Sequence, residues 1–423
     1  LPVPNEAAIE WTVLAGLATE CDIALWSQFH RKQYFYPDMP KDYQISQYDL
    51  PFCSGGFVEI EVDGDGVSER ADLGGAAIFV GPEAVAEEGG YRTRIGITRI
   101  HMEEDAGKLF HGMEGASANH SYVDLNRTGV PLIEIVSEPD MTTPEEADAY
   151  LRSLRAILQY LDVCDGSMEE GSFRCDANIS LKPAGRKELG TKVELKNMNS
   201  FRHVQNALAF EIERQKQMLD DGQTIVQETR LWDAGRGITT SMRSKEEAHD
   251  YRYFPEPDLL PVAVSAGWIE AIRADLPELP QALRERFARE YQLPAYDAEV
   301  LTSSRQLAAY FEACVTCYPQ PKKVSNWIMG ELFRLLNQSE TSLAASPVTP
   351  AAFADLLKLV AAGVVNPNTG KRVLETMVRT GEAPAAIIER EGLAQVSDTA
   401  ALMQAMRVDP ELREHNLRLG DAA

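Results

Sequence analysis

The sequence predicts an α+β fold over residues 1–262 and an all-helical region from residue 275 onward. Three observations carry that prediction. Period-two alternation of apolar and polar residues recurs in short runs of the first part, bounded by glycine, proline and aspartate. Helix caps followed by apolar residues three and four apart are interspersed among those runs, which favours antiparallel pairing over a doubly wound parallel sheet. After Pro255-Glu256-Pro257-Asp258 and Pro261 the alternation stops, alanine and leucine rise, and prolines recur at helix starts.

The elements follow in order. Asn5 caps an opening helix whose apolar stripe is Ala7, Ile9, Val13, Leu14 and Leu17, with Glu6 and Glu10 near its positive end. From Gln33 the texture turns aromatic and proline-punctuated. Turns are expected at Gly55-Gly56 and Asp63-Gly64-Asp65-Gly66, the second bounding a strand over residues 57–62. Residues 92–103, 126–136 and 172–181 alternate and read as strands. Between the last two, Thr143 caps and Pro144 starts a helix with Ala147, Leu151, Leu154, Ile157, Leu158 and Leu161 on its apolar face. A second helix follows Asn199-Ser200 and carries Val204, Leu208 and Ile212. Residues 275–385 form a helical domain, and a break is expected near residues 341–350. Gly363 and Gly370 read as helix caps, because a phosphate loop would need glycine at Val365 and Ser or Thr at Arg372.

Composition removes several classes. No stretch approaches 18 consecutive apolar residues, so no membrane span is expected. Six cysteines in 423 residues are too few for a disulfide scaffold and fit a reducing cytoplasm. The CxxC pair Cys314 and Cys317 lacks a second pair, which argues against zinc. The formal charge is −24, with 45 acids and 25 bases in residues 1–262. A broad basic face for nucleic acid is thereby excluded, whereas an RNA held by a few local contacts is not.

The candidate chemistry sits in that acidic part. If the strand through Arg99-Ile100-His101-Met102-Glu103-Glu104-Asp105 continues, Ile95, Ile97, Arg99, His101 and Glu103 share one face. Neighbouring carboxylates at a strand end repel unless a cation neutralises them, and hard oxygen ligands suit Mg²⁺ bound together with nucleotide phosphates. Glu134, inside Leu132-Ile133-Glu134-Ile135-Val136, is expected to need a metal or an arginine, with Arg127 a possible structural partner. Arg174, Asp176, Asn178 and Ser180 line one polar strand face, and Lys196-Asn197 lead into a helix N-terminus suited to anions. The stretch Arg31-Lys32-Gln33-Tyr34-Phe35-Tyr36-Pro37-Asp38, followed by Lys41, Tyr43, Gln44 and Gln47, mixes cations with stacking groups and suits either a nucleotide or ordinary packing.

Several long motifs then resemble the GatB family, one of the subunits of the tRNA-dependent amidotransferases. They are Tyr34-Phe35-Tyr36-Pro37-Asp38, Tyr43-Gln44-Ile45-Ser46-Gln47, His101-Met102-Glu103-Glu104-Asp105-Ala106-Gly107-Lys108 and Asp124-Leu125-Asn126-Arg127-Thr128-Gly129-Val130-Pro131-Leu132-Ile133-Glu134. Further along stand Met168-Glu169-Glu170-Gly171-Ser172-Phe173-Arg174, Glu194-Leu195-Lys196-Asn197-Met198-Asn199 and Asp250-Tyr251-Arg252-Tyr253-Phe254-Pro255-Glu256. The resemblance implies a cradle domain related to the glutamine synthetase catalytic fold, a helical domain, and a tRNA-binding tail beginning over residues 386–423.

It also implies an ATP-dependent reaction. The side-chain carboxylate of Glu-tRNA(Gln) or Asp-tRNA(Asn) is phosphorylated, and ammonia then gives the amide. An amidase partner and a small third subunit would complete a heterotrimer. Glu103, Glu104 and Glu134 fall where the resemblance places Mg²⁺ ligands. Arg99, Lys108, Arg174, Asp176, Lys196 and Asn197 are expected to bind the nucleotide, on charge and position. The family's Gly-Leu-Glu-x-His strand and zinc cysteines are expected before Leu1, the tail breaks off near Ala423, and Gln33 stands where Asn is usual. The expectation is a truncated form of an active subunit, with a tRNA-binding scaffold and a stand-alone carboxylate–amine ligase as alternatives.

Overall fold

The first helix begins as expected: Asn5 caps α1 (Glu6–Ala18) by accepting the Ala8 amide at 3.3 Å. Its buried side is broader than one stripe, covering Ala8, Ile9, Thr12, Val13, Gly16 and Leu17, while Ala7 stays exposed. The protein is described here by a computed structural model covering residues 2–63, 85–87, 90–111, 120–183, 186, 188–242 and 251–395. The chain separates into two units, residues 1–279 and 280–423.

Short strands follow α1: β1 (Asp22–Ile23), β2 (Trp26–Ser27), β3 (His30–Gln33), β4 (Tyr43–Ser46) and β5 (Cys53–Ser54). Next, β6 (Phe57–Asp63) and β7 (Val85–Glu87) pair with one half of the long β8 (Gly90–Glu104). A ribbon of β9 (Lys108–His111) and β10 (Ser121–Asp124) leads into β11 (Pro131–Ser137), which returns antiparallel along the other half of β8. The main sheet therefore runs β1-β5-β8-β11, with β6 and β7 attached to β8. Helix α2 (Pro144–Tyr160) starts at the predicted capping box, where Thr143 and Glu146 bond reciprocally. Its Leu151, Leu154 and Leu158 join Val13 and Leu17 of α1 and Val58, Ile60, Ile95, Ile97 and Ile100 of the sheet in one apolar core.

A second sheet has the order β12 (Ala177–Ile179), β13 (Val193–Lys196), β14 (Glu228–Asp233), β15 (Ile238–Ser241), with α3 (Phe201–Asp220) connecting β13 to β14. That β13–β14 pair is parallel; the other described pairs are antiparallel. Further on, β16 (Phe254–Pro255) joins β3 and β4 in a three-stranded sheet, and β17 (Val262–Ala263) pairs with β2. The unit is thus mixed α and β with mostly antiparallel pairing, as the alternation predicted.

Several boundaries differ from expectation. Residues 126–130 form a turn, with Gly129 at φ +82°, so the strand predicted over 126–136 starts only at Pro131. In residues 172–181 exposure alternates, but ladder bonds form only over Ala177–Ile179. Residues 64–66 of the predicted acidic turn lie outside the described residues. The helix Ala266–Ala274 groups with the first unit.

The second unit contains helices Pro280–Glu290, Ala295–Leu301, Arg305–Cys317, Pro321–Trp327, Phe333–Gln338, Pro350–Ala361, Pro367–Thr380 and Pro384–Arg390. A 3₁₀ turn, Leu343–Ala345, occupies the predicted break. Gly363, at φ +73°, follows the helix ending at Ala361 as a cap. Gly370 does not cap. It lies inside Pro367–Thr380, where a Cβ would come within 2.7 Å of Val360 Cγ2 and 3.0 Å of Trp327, so its role is close helix packing. Cys314 is buried and Cys317 exposed near the end of their helix. Residues 396–423 of the expected tail lie outside the described residues.

Candidate active site

A one-residue irregularity in β8 builds the site. Val136 pairs with Arg99 and Ser137 with Ile97, so Thr98 is left without a partner on β11. An extra residue of this kind reverses which side chains face the core. Before it, Ile95 and Ile97 point inward; after it, Ile100 and Met102 do. Arg99, His101 and Glu103 therefore occupy the opposite face. This corrects the expectation that all five odd-numbered residues share one face.

Directly opposite residues of an antiparallel pair lie side by side. Glu134 is opposite His101, and Leu132 opposite Glu103. One imidazole nitrogen and one carboxylate oxygen from each glutamate converge within 4.8 Å, the metal-capable group found among the described residues. His101 Nε2 stands 3.7 Å from Glu134 and 3.9 Å from Glu103, too far for hydrogen bonds. Ser46 of β4 donates to Glu103 at 3.1 Å, and Lys32 Nζ lies 3.5 Å from the same carboxylate oxygen.

Burial, the largest influence, pushes His101 down to about 4, so the ring is neutral near pH 7. Arg99 Nε donates to its Nδ1 at 3.4 Å. Since guanidinium only donates, Nδ1 accepts there and Nε2 faces the carboxylates. Burial alone would lower Lys32, but Glu103 foremost, then Tyr253 and Glu134, hold it above the ordinary lysine value. Lys32 is thus a fixed cation beside two carboxylates.

Glu134 is 44% exposed, and among the described residues no arginine pairs with it. Its strand looked wholly apolar because Leu132 and Val136, on the same face, are themselves only partly covered. Arg127 instead binds Asp105 at 3.1 Å and donates to the carbonyls of Ala106 and Gly107. Arg174 meets the same Asp105 at 2.9 Å. Glu104 points away from Glu103, accepts the Ile45 amide at 2.7 Å and pairs with Lys41. It is not part of the converging group. Lys108 is exposed on β9, its Nζ 4.9 Å from the Phe110 ring.

The remaining expected residues sit on the second sheet. Lys196 pairs with Asp176 at 3.1 Å and Glu194 at 3.4 Å, so its charge is matched twice. Asn197, at φ +69°, donates to the Trp232 carbonyl at 3.0 Å and turns the chain into α3. Of the expected ligands, the structure brings together Glu103 and Glu134, with Arg99 behind His101. Glu104, Asp176, Lys196 and Asn197 are engaged elsewhere. Sequence reasoning missed Lys32 and Ser46 as neighbours of Glu103. Their signal was the alternation of β3 and β4, whose pairing the sequence could not reveal.

The site lies wholly within a stretch that matches a known family. The GatB/GatE catalytic domain matches residues 1–270, and the GatB domain matches residues 309–408. The chain belongs to the GatB/GatE family. It is 53% identical over 403 residues to the GatB subunit of the aspartyl/glutamyl-tRNA(Asn/Gln) amidotransferase of Geobacter sp. (strain M21), covering 95% of this chain and 78% of that protein. The corresponding GatB subunit from Thermodesulfovibrio yellowstonii is 50% identical over 407 residues, covering 96% and 79%. The one from Caldanaerobacter subterraneus subsp. tengcongensis is 53% identical over 407 residues, again covering 96% and 79%. Within this GatB/GatE catalytic domain, His101, Glu103 and Glu134 form the metal-capable group.

Proposed function

We propose that this chain is the GatB subunit of an aspartyl/glutamyl-tRNA(Asn/Gln) amidotransferase and carries its ATP-dependent site on the polar face of β8 and β11. The observation that supports this most is the convergence of Glu103 and Glu134, which offer carboxylate oxygens within 4.8 Å of one another. The donor set fits Mg²⁺: two carboxylate oxygens meet beside a fixed cation, and this hard ion takes one or two carboxylates plus substrate phosphates. When bound, Mg²⁺ would neutralise charge on the nucleotide phosphates. His101, beside the two carboxylates, completes the group that would hold the ion.

The reaction read from this family runs in two steps. A substrate carboxylate oxygen takes the terminal phosphoryl group of ATP, releasing ADP and forming an acyl phosphate. Ammonia then adds to the acyl carbon, phosphate leaves, and the nitrogen loses a proton to give the amide. Lys32 would stabilise negative charge on the phosphoryl group or the acyl phosphate, while Arg99 holds the His101 ring in place. Arg174 and Arg127, gathered on Asp105, would keep the Asp105–Lys108 turn aimed at the nucleotide.

The same reading assigns the first unit to a cradle of glutamine synthetase type and tRNA binding to the tail that begins at residue 386. An amidase partner would supply ammonia, and a small third subunit would brace the assembly. A cytoplasmic setting suits the six free cysteines, and no described helix is long and apolar enough to cross a membrane. Named relatives matching 95–96% of the chain favour the enzyme over a scaffold that has lost catalysis. The test is phosphorylation of Glu-tRNA(Gln) or Asp-tRNA(Asn) with the partner subunits present, comparing Glu134→Gln with the parent. Unchanged phosphorylation in the variant overturns the site assignment.

A further inference from the structure

An aromatic surface adjoins the acidic pair, and nothing in the reaction outlined above uses it. Tyr48 and Tyr253 stack with ring centres 4.4 Å apart at 16°. Tyr251 meets Tyr253 edge-on at 6.0 Å, and its ring lies 5.1 Å from Lys32 Nζ. The same Nζ stands 3.5 Å from Glu103. The tyrosines therefore begin one lysine head group away from the proposed phosphoryl-transfer site.

Packing does not account for their exposure. Tyr48 is 55% exposed although one ring face rests on Tyr253, and Tyr251 is 36% exposed. Neither belongs to the apolar core. What fixes them is the sheet beneath. Arg31 of β3 forks onto Glu256 at 2.8 and 2.9 Å and lies 4.2 Å over the Tyr43 ring, tying residues 251–256 to β3 and β4 across more than 200 residues of chain. Rigid, half-exposed aromatic rings beside a lysine are the means by which proteins take up nucleobases attached to phosphates.

We propose that the Tyr48–Tyr253 stack, with Tyr251 and Lys32 beside it, is the platform on which an adenine base of the substrate stacks when its phosphates or acyl group reach Glu103 and Glu134. This rests on the ATP-dependent reading above. Two sources carry the base: ATP itself, and the 3′-terminal adenosine of the charged tRNA. Lys32 would face the phosphates in the first case and the esterified ribose in the second.

The experiment uses the full-length protein assembled with its partner subunits, as parent, Tyr48→Ala and Tyr48→Phe. ATP binding is measured by equilibrium dialysis with Mg²⁺, and KM is measured separately for ATP and for the misacylated tRNA. Tyr48→Ala is expected to weaken one of them about tenfold, the size of one lost base–aromatic stack. Tyr48→Phe, which keeps the ring, is expected to stay within about twofold of the parent. A rise in both the ATP dissociation constant and the ATP KM assigns the base to ATP. A rise in the tRNA KM alone assigns it to the terminal adenosine. If Tyr48→Ala melts like the parent and changes none of the three constants, the platform is overturned. Weakened ATP dialysis in an assembly whose parent forms no amide leaves the platform standing and overturns the amidotransferase reading instead.

Discussion

Two glutamates of the first unit show what separates a structural carboxylate from one reserved for a ligand. Glu211 of α3 is fully buried, and every side of it is occupied. Arg214 forks onto it at 2.5 and 2.9 Å, Gln215 donates at 2.9 Å and Thr239 at 3.1 Å, with Arg230 at 3.5 Å behind. Glu134 of β11 is 44% exposed and accepts no hydrogen bond from the described residues; the neutral His101 stands 3.7 Å from it. A carboxylate offers about four acceptor sites, and in Glu211 they are used. In Glu134 they are open. Charge in the sequence is the same at both positions, so the distinction lies entirely in the company the fold provides.

The largest expected effect on stability comes from the saturated member. Glu211→Ala removes the acceptor and leaves Arg214 and Arg230 underneutralised. Breaking a buried ion pair in this way costs about 3–5 kcal/mol. Thermal unfolding followed by circular dichroism reads it, and a loss below about 1 kcal/mol would erase the contrast with Glu134. Glu134→Gln is expected to do the reverse. Amide formation by the assembled enzyme should fall roughly 10²–10³-fold, the scale of losing one group that stabilises transition-state charge. Stability should remain within about 0.5 kcal/mol, as for an ordinary surface change.

A third change tests whether the turn behind the site must keep its shape. A Cβ on Gly107 would lie 2.7 Å from the Asp124 carbonyl and 3.1 Å from that of Asp38, both backbone atoms. Gly107→Ala is therefore expected to shift the turn that carries Asp105, at about 1–3 kcal/mol of overpacking. The nucleotide KM should rise as Arg174 loses its anchor. A variant with parental melting and parental KM would detach this turn from the site.

How far the sequence could be read follows from the same contrast. Caps, helix faces and the strand at 57–62 were legible because their signals are local: Thr143 and Glu146 bond within one turn. Glu134 was legible as a candidate because its carboxylate stood in an apolar strand, and Glu103 because neighbouring carboxylates adjoined at a strand end. Their convergence was expected from the family resemblance and not from local pattern, since it depends on Thr98 slipping the register of β8, and one residue there moves every later side chain to the other face. Glu104 and Glu103 are chemically identical neighbours, and only the strand pleat and the Ile45 amide separate their fates. Lys196 is expected to meet phosphate on charge and position alone; its pairing with Asp176, 20 residues away, is set by the strand pairing, though Glu194 two residues before it is a local partner.

The smallest predicted effect concerns a carboxylate between the two extremes. Glu256 is buried like Glu211 but has one arginine rather than two, and through Arg31 it ties the segment that carries Tyr251 and Tyr253 to β3. Burial alone would raise its carboxyl, yet the Arg31 fork and the Asp258 amide outweigh that and hold it below the ordinary glutamate value. A folded pKa below the unfolded one means the unfolded chain binds the proton more readily as pH falls. The pair therefore contributes stability above about pH 4.3, the unfolded value, and that contribution disappears as pH drops through the folded value. Melting temperature measured downward from pH 5 should decline less steeply in Glu256→Gln than in the parent, on top of a modest constant loss. Equal slopes would mean that Glu256 is no better neutralised than an exposed glutamate, and the sheet beneath Tyr48 and Tyr253 would then owe its rigidity to packing around Tyr43 and Phe254 instead of to the Arg31 fork.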